Sequence, residues 1–347
     1  MRIVTFNLWH GLSPSNPLAF EALEPTTRRK LRESEQVRVL KEASPDFVFL
    51  QEVNPVSDRV QELGQALNLS TEYQPDLVGV KVFGIGLPLN LNSGLVIGAG
   101  HGHGLKRVQA ISLSRPGFNW VRKWGSWQLR EERFALLCES LVPDVGRILL
   151  INTHLHHGLE SDPEFEKRID EWTASQELNS TFTSELKERI RKADARRMNE
   201  MAFILRTIAE HEKRYSAVVL CGDLNSTPGS ELFHALREIG FQDSWEIAHP
   251  QDPGYTFDRL KNEANHLLQS RFPISLMIED LTFSSEVKAG LMNLAREQEN
   301  RPRRIDYVWV RSRNGRVKVK GAQLLGAPDA EGLAPSDHFG VQVDLEV

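Results

Sequence analysis

Short apolar runs along this chain stop, again and again, at polar side chains. Residues 217–221 form a continuous apolar run that gives way to Gly222, Asp223, Leu224, Asn225, Ser226, Thr227 and Pro228. Such a run predicts a strand buried on both faces, followed by a loop. The pattern recurs elsewhere. The run 3–6 stops at Asn7, 47–50 at Gln51-Glu52-Val53, and 147–151 at Asn152-Thr153-His154. Residues 304–310 read as a strand with Asp306 inside it, and the strand 339–345 follows Ser336-Asp337-His338. Further strands are expected at 110–113 and 134–138, with a glycine-rich hairpin at 78–97. The chain is read as closing with two strands.

Helical spacing separates these runs. Leu31, Val37 and Leu40 predict a helix over 28–43, and others are expected at 57–67 and 230–239. The polar segment 160–214 is helix-rich, with a clear apolar stripe at Met198, Met201, Ile204, Leu205 and Ile208. A second long polar segment covers 259–301, and 13–27 reads as irregular. Helices alternate with strands in places and hairpins replace them elsewhere, which predicts an α/β protein with mixed sheets. With no repeat and no linker, the reading is one domain over 1–347.

Composition narrows the picture only in part. The 347 residues are 40% apolar and 26% charged, with a formal net charge of -5. These values describe a globular chain with no global positive field to draw in nucleic acid. Cys138 and Cys221 both lie in apolar runs and read as reduced core residues. No leader pattern or membrane-length apolar run is present, so the chain is expected in the cytoplasm.

The candidate chemistry lies at the strand ends: Asn7, Glu52, His154, Asp223 with Asn225, Asp306, and Asp337 with His338. Carboxylate and amide oxygens suit Mg²⁺ or Mn²⁺, and no cysteine–histidine cluster favours zinc. Histidine beside carboxylate suits proton transfer or stabilisation of a crowded phosphate. Phosphate-ester hydrolysis needs a metal, a base for water and donors for phosphoryl oxygens. Asp223 and Asn225, two residues apart at a strand end, are expected to point the same way; an isolated Asp-x-Asn would read as a turn cap, and Glu52 as a surface acid. Recurrence at several strand ends favours the site. Asp306 in an apolar strand needs a partner, and a histidine is the expected one. His101 and His103, set among glycines, read as an exposed turn rather than a metal site. His156 and His157 read as loop residues, and the tryptophans as packing.

In order, Thr5-Phe6-Asn7, Leu50-Gln51-Glu52-Val53, Asn152-Thr153-His154-Leu155, Gly222-Asp223-Leu224-Asn225, Arg304-Ile305-Asp306-Tyr307 and Ser336-Asp337-His338 resemble the endonuclease/exonuclease/phosphatase superfamily. Its members include deoxyribonuclease I, apurinic endonucleases, inositol polyphosphate phosphatases and neutral sphingomyelinases. The resemblance implies a four-layer α/β/β/α sandwich with the site at the mouth between two mixed sheets. It further implies a Mg²⁺-dependent phosphodiesterase. In that reading Glu52 is the principal metal ligand, supported by Asn7 and Asp337. Asp223 orients or deprotonates water, and Asn225 helps hold it or a phosphoryl oxygen. His338 contacts phosphate or acts as base, with its tautomer set by Asp306. His154 stabilises charge or assists the leaving group. The family divides on whether the aspartate or the histidine is the base.

Within the superfamily the sequence looks most like the neutral sphingomyelinase branch, through Thr153-His154-Leu155-His156, Leu220 to Asn225, Arg304-Ile305-Asp306-Tyr307-Val308 and Tyr255-Thr256-Phe257. That branch implies a phospholipid headgroup as substrate. The alternative is a nuclease of the same fold, with Arg189, Arg191, Lys192, Arg196 and Arg197 as a basic rim or simply a solvated helix face. A non-catalytic binding module is the rival from another class, but every expected polar position is filled. The segments 160–192 and 259–301 are longer than the corresponding family connections and are expected to fold as helical insertions that wall the cleft. Trp172, Phe182, Phe272, Ile274, Leu276 and Met277 would give them a greasy rim, or else pack them onto the body.

Overall fold

The computed structural model describes residues 1–13, 21–82, 85–114, 119–122, 125–128, 132–178, 180–262 and 285–347. The chain starts with β1 (Arg2–Asn7), passes a small ribbon of β2 (Leu12–Ser13) and β3 (Glu21–Ala22), and enters α1 (Thr26–Ala43). Then come β4 (Phe47–Val53), α2 (Val56–Leu67) and a long hairpin of β5 (Leu69–Val82) and β6 (Ile85–Gly100). β7 (Leu105–Ser112), a ribbon of β8 (Asn119–Arg122) and β9 (Gly125–Gln128), β10 (Phe134–Val142) and β11 (Gly146–His154) follow. Helices α3 (Pro163–Ser175) and α4 (Ser180–His211) precede β12 (Ala217–Asp223), α5 (Glu231–Glu238), β13 (Gln242–Asp243) and α6 (Ser244–Ala248). The chain continues through α7 (Ser285–Asn300), β14 (Asp306–Ser312), β15 (Lys318–Leu325) and β16 (Gly340–Glu346).

Twelve of these strands make two six-stranded mixed sheets, ordered β15-β16-β1-β4-β6-β5 and β13-β14-β12-β11-β10-β7. Strands β1 and β4 pair in parallel in the first, and β11 and β12 in the second. The inner faces bury one shared core, with Phe47, Phe49 and Ile97 from one sheet against Leu136, Ile148, Leu150 and Val219 from the other. The outer face of the first sheet packs Val4, Leu50 and Val96 against Leu40 of α1 and Val60 and Leu63 of α2. The outer face of the second packs Leu149, Leu220 and Trp309 against Met201 and Ile204 of α4 and Phe233 of α5. The result is the four-layer α/β/β/α sandwich implied by the resemblance. It explains why the central runs are continuously apolar: they are covered on both faces.

Polar side chains also cross the inter-sheet core. Gln51 is fully buried and donates from Nε2 to Asn152 Oδ1 at 2.7 Å and to Thr5 Oγ1 at 3.2 Å. Asn152 in turn donates to the carbonyls of Leu50 (2.9 Å) and Val96 (2.8 Å). The bridge ties β4 to β11 one residue before Glu52 and two before His154. Gln51→Leu keeps the volume but strands the acceptors, which should cost about 1–3 kcal/mol. Urea unfolding should show a lower midpoint, and part of the loss should return in Gln51→Leu/Asn152→Leu. An unchanged midpoint in the single variant would show that the bridge carries no stability.

The C-terminal part of the fold differs from the expectation. Three strands close the chain rather than two, because β15 was not recognised. Its burial is half-and-half, it lies at a sheet edge, and its register shifts between Val319 and Gly321. Edge position and a bulge both blur a period-two pattern. His101 lies in the exposed turn expected for it, while His103 is part-buried, with Nε2 3.4 Å from Asp46 and its ring 5.0 Å from that of Phe47. Both cysteines are free and buried. Among the described residues no helix is long and apolar enough to cross a membrane.

Candidate active site

Strand register brings the polar strand ends together. Asn7 pairs with Gln51 across the parallel β1/β4 ladder, which sets Asn7 beside Glu52. In the second sheet, His154, Asp223 and Asp306 lie directly opposite one another across β11, β12 and β14. Gly222, at φ +140°, precedes Asp223; a Cβ there would fall 1.8 Å from the Thr153 carbonyl oxygen. Only glycine lets β12 press this close to β11. His338 precedes β16, and the Ser336 hydroxyl donates to the Asn7 carbonyl at 2.6 Å, fastening this turn to β1.

Hydrogen bonds join the two halves. Asn7 Nδ2 lies 3.2 Å from Glu52 Oε1 and 3.1 Å from Asp223 Oδ2, so one amide spans the sheets. His338 Nδ1 is 2.8 Å from Asp306 Oδ2, while its Nε2 is 3.9 Å from both Asp223 Oδ2 and Asp337 Oδ1. His154 Nε2 is 3.5 Å from Asp223 Oδ2. All of these groups are buried or nearly so; Glu52 keeps 16% of its side chain exposed.

Burial and crowding perturb the titrations of Glu52, His154, Asp223, Asp337 and His338. Burial, then the charge of Asp306, pushes the Asp223 carboxyl up to about 7. Burial raises Asp337 to about 6, with the charge of Glu52 adding to it and His338 opposing it. Burial also acts to raise Glu52, but His10, His154 and the His10 N–H outweigh it and hold Glu52 below the usual carboxylate range. His338 is driven the other way. Burial acts to lower it, yet Asp306, Asp337 and Asp223 together hold it well above the ordinary imidazole value. His154, desolvated and near Arg133, falls well below that value. One histidine is thus set as a cation and the other as a neutral base.

Carboxylates crowd together at this mouth. Glu52 and Asp337 repel each other in the absence of a positive charge, and Asp223 and Asp306 do the same. Asp306 Oδ1 is buried with no hydrogen-bond partner. Ligand atoms of Asp223, Asp306 and His338 all lie within 4.8 Å of one another. Carboxylates crowded this way fit a hard cation that would neutralise them.

The sequence itself matches the Endonuclease/Exonuclease/phosphatase family over residues 4–338. The chain belongs to that family. No curated protein matches the sequence. Among solved structures, a humanized D. rerio TDP2 carrying 14 mutations is similar at TM-score 0.56 and 15% identity, covering 100% of this chain and 99% of that one. An endonuclease/exonuclease/phosphatase from Bacteroides vulgatus is similar at TM-score 0.55 and 17% identity, covering 100% and 98%. D. rerio TDP2 complexed with a single-strand DNA product is similar at TM-score 0.51 and 15% identity, covering 100% and 99%. At these identities the likeness is one of fold.

Within this family member, two expected details differ. Asp306 opens β14 rather than lying inside it; the N–H groups of Ile305 and Asp306 bond the Thr256 hydroxyl at 3.0 and 3.1 Å, where the ladder begins. Asp223 and Asn225 do not project together. Asn225 is left-handed, at φ +49°, and its amide donates to the Leu155 carbonyl at 3.1 Å. Asp223 Oδ1 meanwhile accepts the Asn225 N–H at 2.9 Å, so the turn-cap role of an Asp-x-Asn coexists with the site.

Further residues shape the site; Phe257 belongs to the Tyr255-Thr256-Phe257 motif, while Glu160 and His10 carry no signal of their own in the sequence. Glu160 is buried and accepts from Ser226 Oγ (3.1 Å) and Thr227 N–H (2.8 Å), holding the loop after Asn225. Phe257 sets its ring edge-on to His338 at 5.1 Å. His10 contacts Glu52. These contacts join positions far apart in sequence, and no local pattern signals them.

The segment after His154 and α7 share a core of their own: Leu159, Phe165, Ile169, Phe182, Leu186, Ile190, Leu291 and Ala295. Asp162 caps α3 with one oxygen and accepts from Gln298 with the other. Phe182 and Trp172 therefore pack these helices rather than facing outward, while Phe272, Ile274, Leu276 and Met277 lie outside the described residues. A cavity of about 500 Å³ opens beside the loop that follows Asn225, lined by Glu160, Thr227, Pro228, Tyr255, Gln298 and Arg301. The basic stretch of α4 is neutralised: Arg189, Arg191, Lys192, Arg196 and Arg197 pair with Glu185, Glu166, Glu188, Glu200 and Asp194.

Proposed function

We propose that this chain is a divalent-metal-dependent phosphodiesterase that uses Mg²⁺, with Mn²⁺ able to replace it. The observation that carries the reading is the meeting, at one mouth, of crowded oxygen donors with a histidine–carboxylate pair. Glu52, Asn7 and Asp337 would hold the cation. When bound, it would neutralise phosphoryl charge and lower the pKa of water. Asp223 orients the attacking water and accepts its proton. His338, held cationic by Asp306, donates to a phosphoryl oxygen through Nε2. His154, neutral and buried, supports the developing charge. Asn225 acts through the loop that carries Asp223.

The substrate is a phosphodiester. A phospholipid headgroup is the leading reading, on the sphingomyelinase-like motifs. A nucleic acid is the second, because TDP2 of the same fold carries a single-strand DNA product. The paired arginines of α4 count against a basic rim for a polyanion. We read the chain as one domain, with the helical body of α3, the start of α4 and α7 as the wall that selects the substrate beside the cavity.

A panel with Mg²⁺ tests this: sphingomyelin, lysophospholipid, an inositol phosphate, DNA and an aryl phosphodiester. The expected result is hydrolysis that chelation abolishes and Mg²⁺ restores. Full activity in chelator, or none on any member, would overturn the assignment. Salt-sensitive cleavage of DNA with inert lipids would select the nuclease reading.

A further inference from the structure

We propose that His10 is a positioning residue for Glu52, locking its carboxylate in the orientation that binds the cation. This rests on the metal-dependent reading above. Glu52 stands at the end of β4 in the left-handed region, at φ +54°, where a long side chain gains no orientation from the strand pleat. Its direction is set from outside. Asn7 Nδ2 reaches Oε1 at 3.2 Å. His10 supplies both remaining contacts: its backbone N–H donates to Oε2 at 3.1 Å, and its ring Nε2 lies 3.4 Å from the same oxygen.

A third contact fixes which ring nitrogen of His10 faces Glu52. The Leu12 N–H points at His10 Nδ1, 3.1 Å away. Nδ1 must therefore carry a lone pair, and the neutral ring's proton sits on Nε2, facing Glu52. The loop that presents His10 is itself pinned. Arg32 donates from Nη1 to the carbonyls of Leu8 and Trp9, both at 3.0 Å, and stacks over the Trp9 ring at 4.8 Å. Glu24 pairs with that guanidinium, and Gln36 Nε2 donates to the Leu8 carbonyl at 2.8 Å. Gly11, at φ +67°, lies where a Cβ would come within 3.0 Å of Arg32 Nη2. A chain of contacts, buried at Glu24, Arg32 and Gln36 and part-buried at His10 and Glu52, thus runs from α1 to the carboxylate. Groups that orient a metal ligand from behind typically change metal affinity by about 10–100-fold when removed.

The test is Mn²⁺ binding to the whole purified chain, followed by the electron paramagnetic resonance of free Mn²⁺. His10→Ala is expected to raise Kd by about 10–100-fold, with kcat at saturating metal largely retained. His10→Gln places an N–H at the reach of Nε2 and is expected to bind close to wild type. His10→Asn reaches only the Nδ1 position and is expected to behave like the alanine variant. Thermal melts in chelator check that the variants fold alike. If wild type binds Mn²⁺ and the alanine variant binds equally well, or the glutamine variant is as weak as alanine, the positioning role is wrong while the metal site stands. If wild type itself binds no Mn²⁺, the metal-dependent reading fails, and this inference with it.

Discussion

His338→Ala should lower kcat on an aryl phosphodiester by roughly 10²- to 10⁴-fold, the range for a positioned proton donor or acceptor. His338 is buried, has its Nδ1 2.8 Å from Asp306 Oδ2, and presents Nε2 toward Asp223 and Asp337. Phe257 closes one side of the ring, so water cannot readily replace the imidazole. Asp306→Asn should leave the fold intact, because the ladder from Asp223 to Asp306 is made by backbone. It removes the largest charge that raises His338 and favours the wrong tautomer. The His338 titration, followed by NMR, should therefore move to lower pH as kcat falls. The double variant should be little worse than His338→Ala alone, since paired groups act as a unit. Full additivity, or an unchanged kcat in His338→Ala, would show that the dyad plays no part in the chemistry.

Asp223→Asn should be as damaging, roughly 10²- to 10⁴-fold in kcat, and it makes a prediction about pH. Burial and Asp306 raise Asp223 to about 7, so its carboxyl is protonated through much of the mildly acid range. If the carboxylate is the working form, activity rises with pH through that region. Rising metal concentration should shift this acid limb to lower pH, because a nearby cation favours the ionised form. An acid limb that ignores metal concentration would assign it to another group.

The same shift acts on stability with the opposite sign. The folded-state value lies above the unfolded one, so folding binds the proton more tightly and the benefit fades as pH rises through about 7. In chelator, Asp223→Asn should therefore raise Tm at pH 8, with the gain vanishing toward pH 4. A variant less stable than wild type at pH 8 would show that the Asn7 and Asn225 contacts outweigh the desolvated charge.

Much of the scaffold could be read before folding was considered. Strands β1, β4, β11, β12 and β14 are apolar because two layers cover them, and a doubly covered strand leaves a continuous signature in the sequence. Their polar ends could be read for the same reason: a run of buried residues makes the first polar side chain after it conspicuous. Asp306 foretold its own partner, since a carboxylate taken from water demands one, and His338 fills that place.

Tertiary structure alone decided the rest. β15 was invisible because an edge strand with a bulge is half exposed and loses its alternation. Asn225 turns to the Leu155 carbonyl because its left-handed backbone redirects a side chain that strand periodicity would have placed beside Asp223. His10, Gln51 and Glu160 acquire their roles from Glu52, Asn152 and the Ser226–Thr227 turn, partners 42, 101 and 66 or 67 residues away. The residue types and strand ends of this site are local properties, written in burial and periodicity. Which atom faces which depends on register across two sheets, and register is set only when the sheets pack face to face.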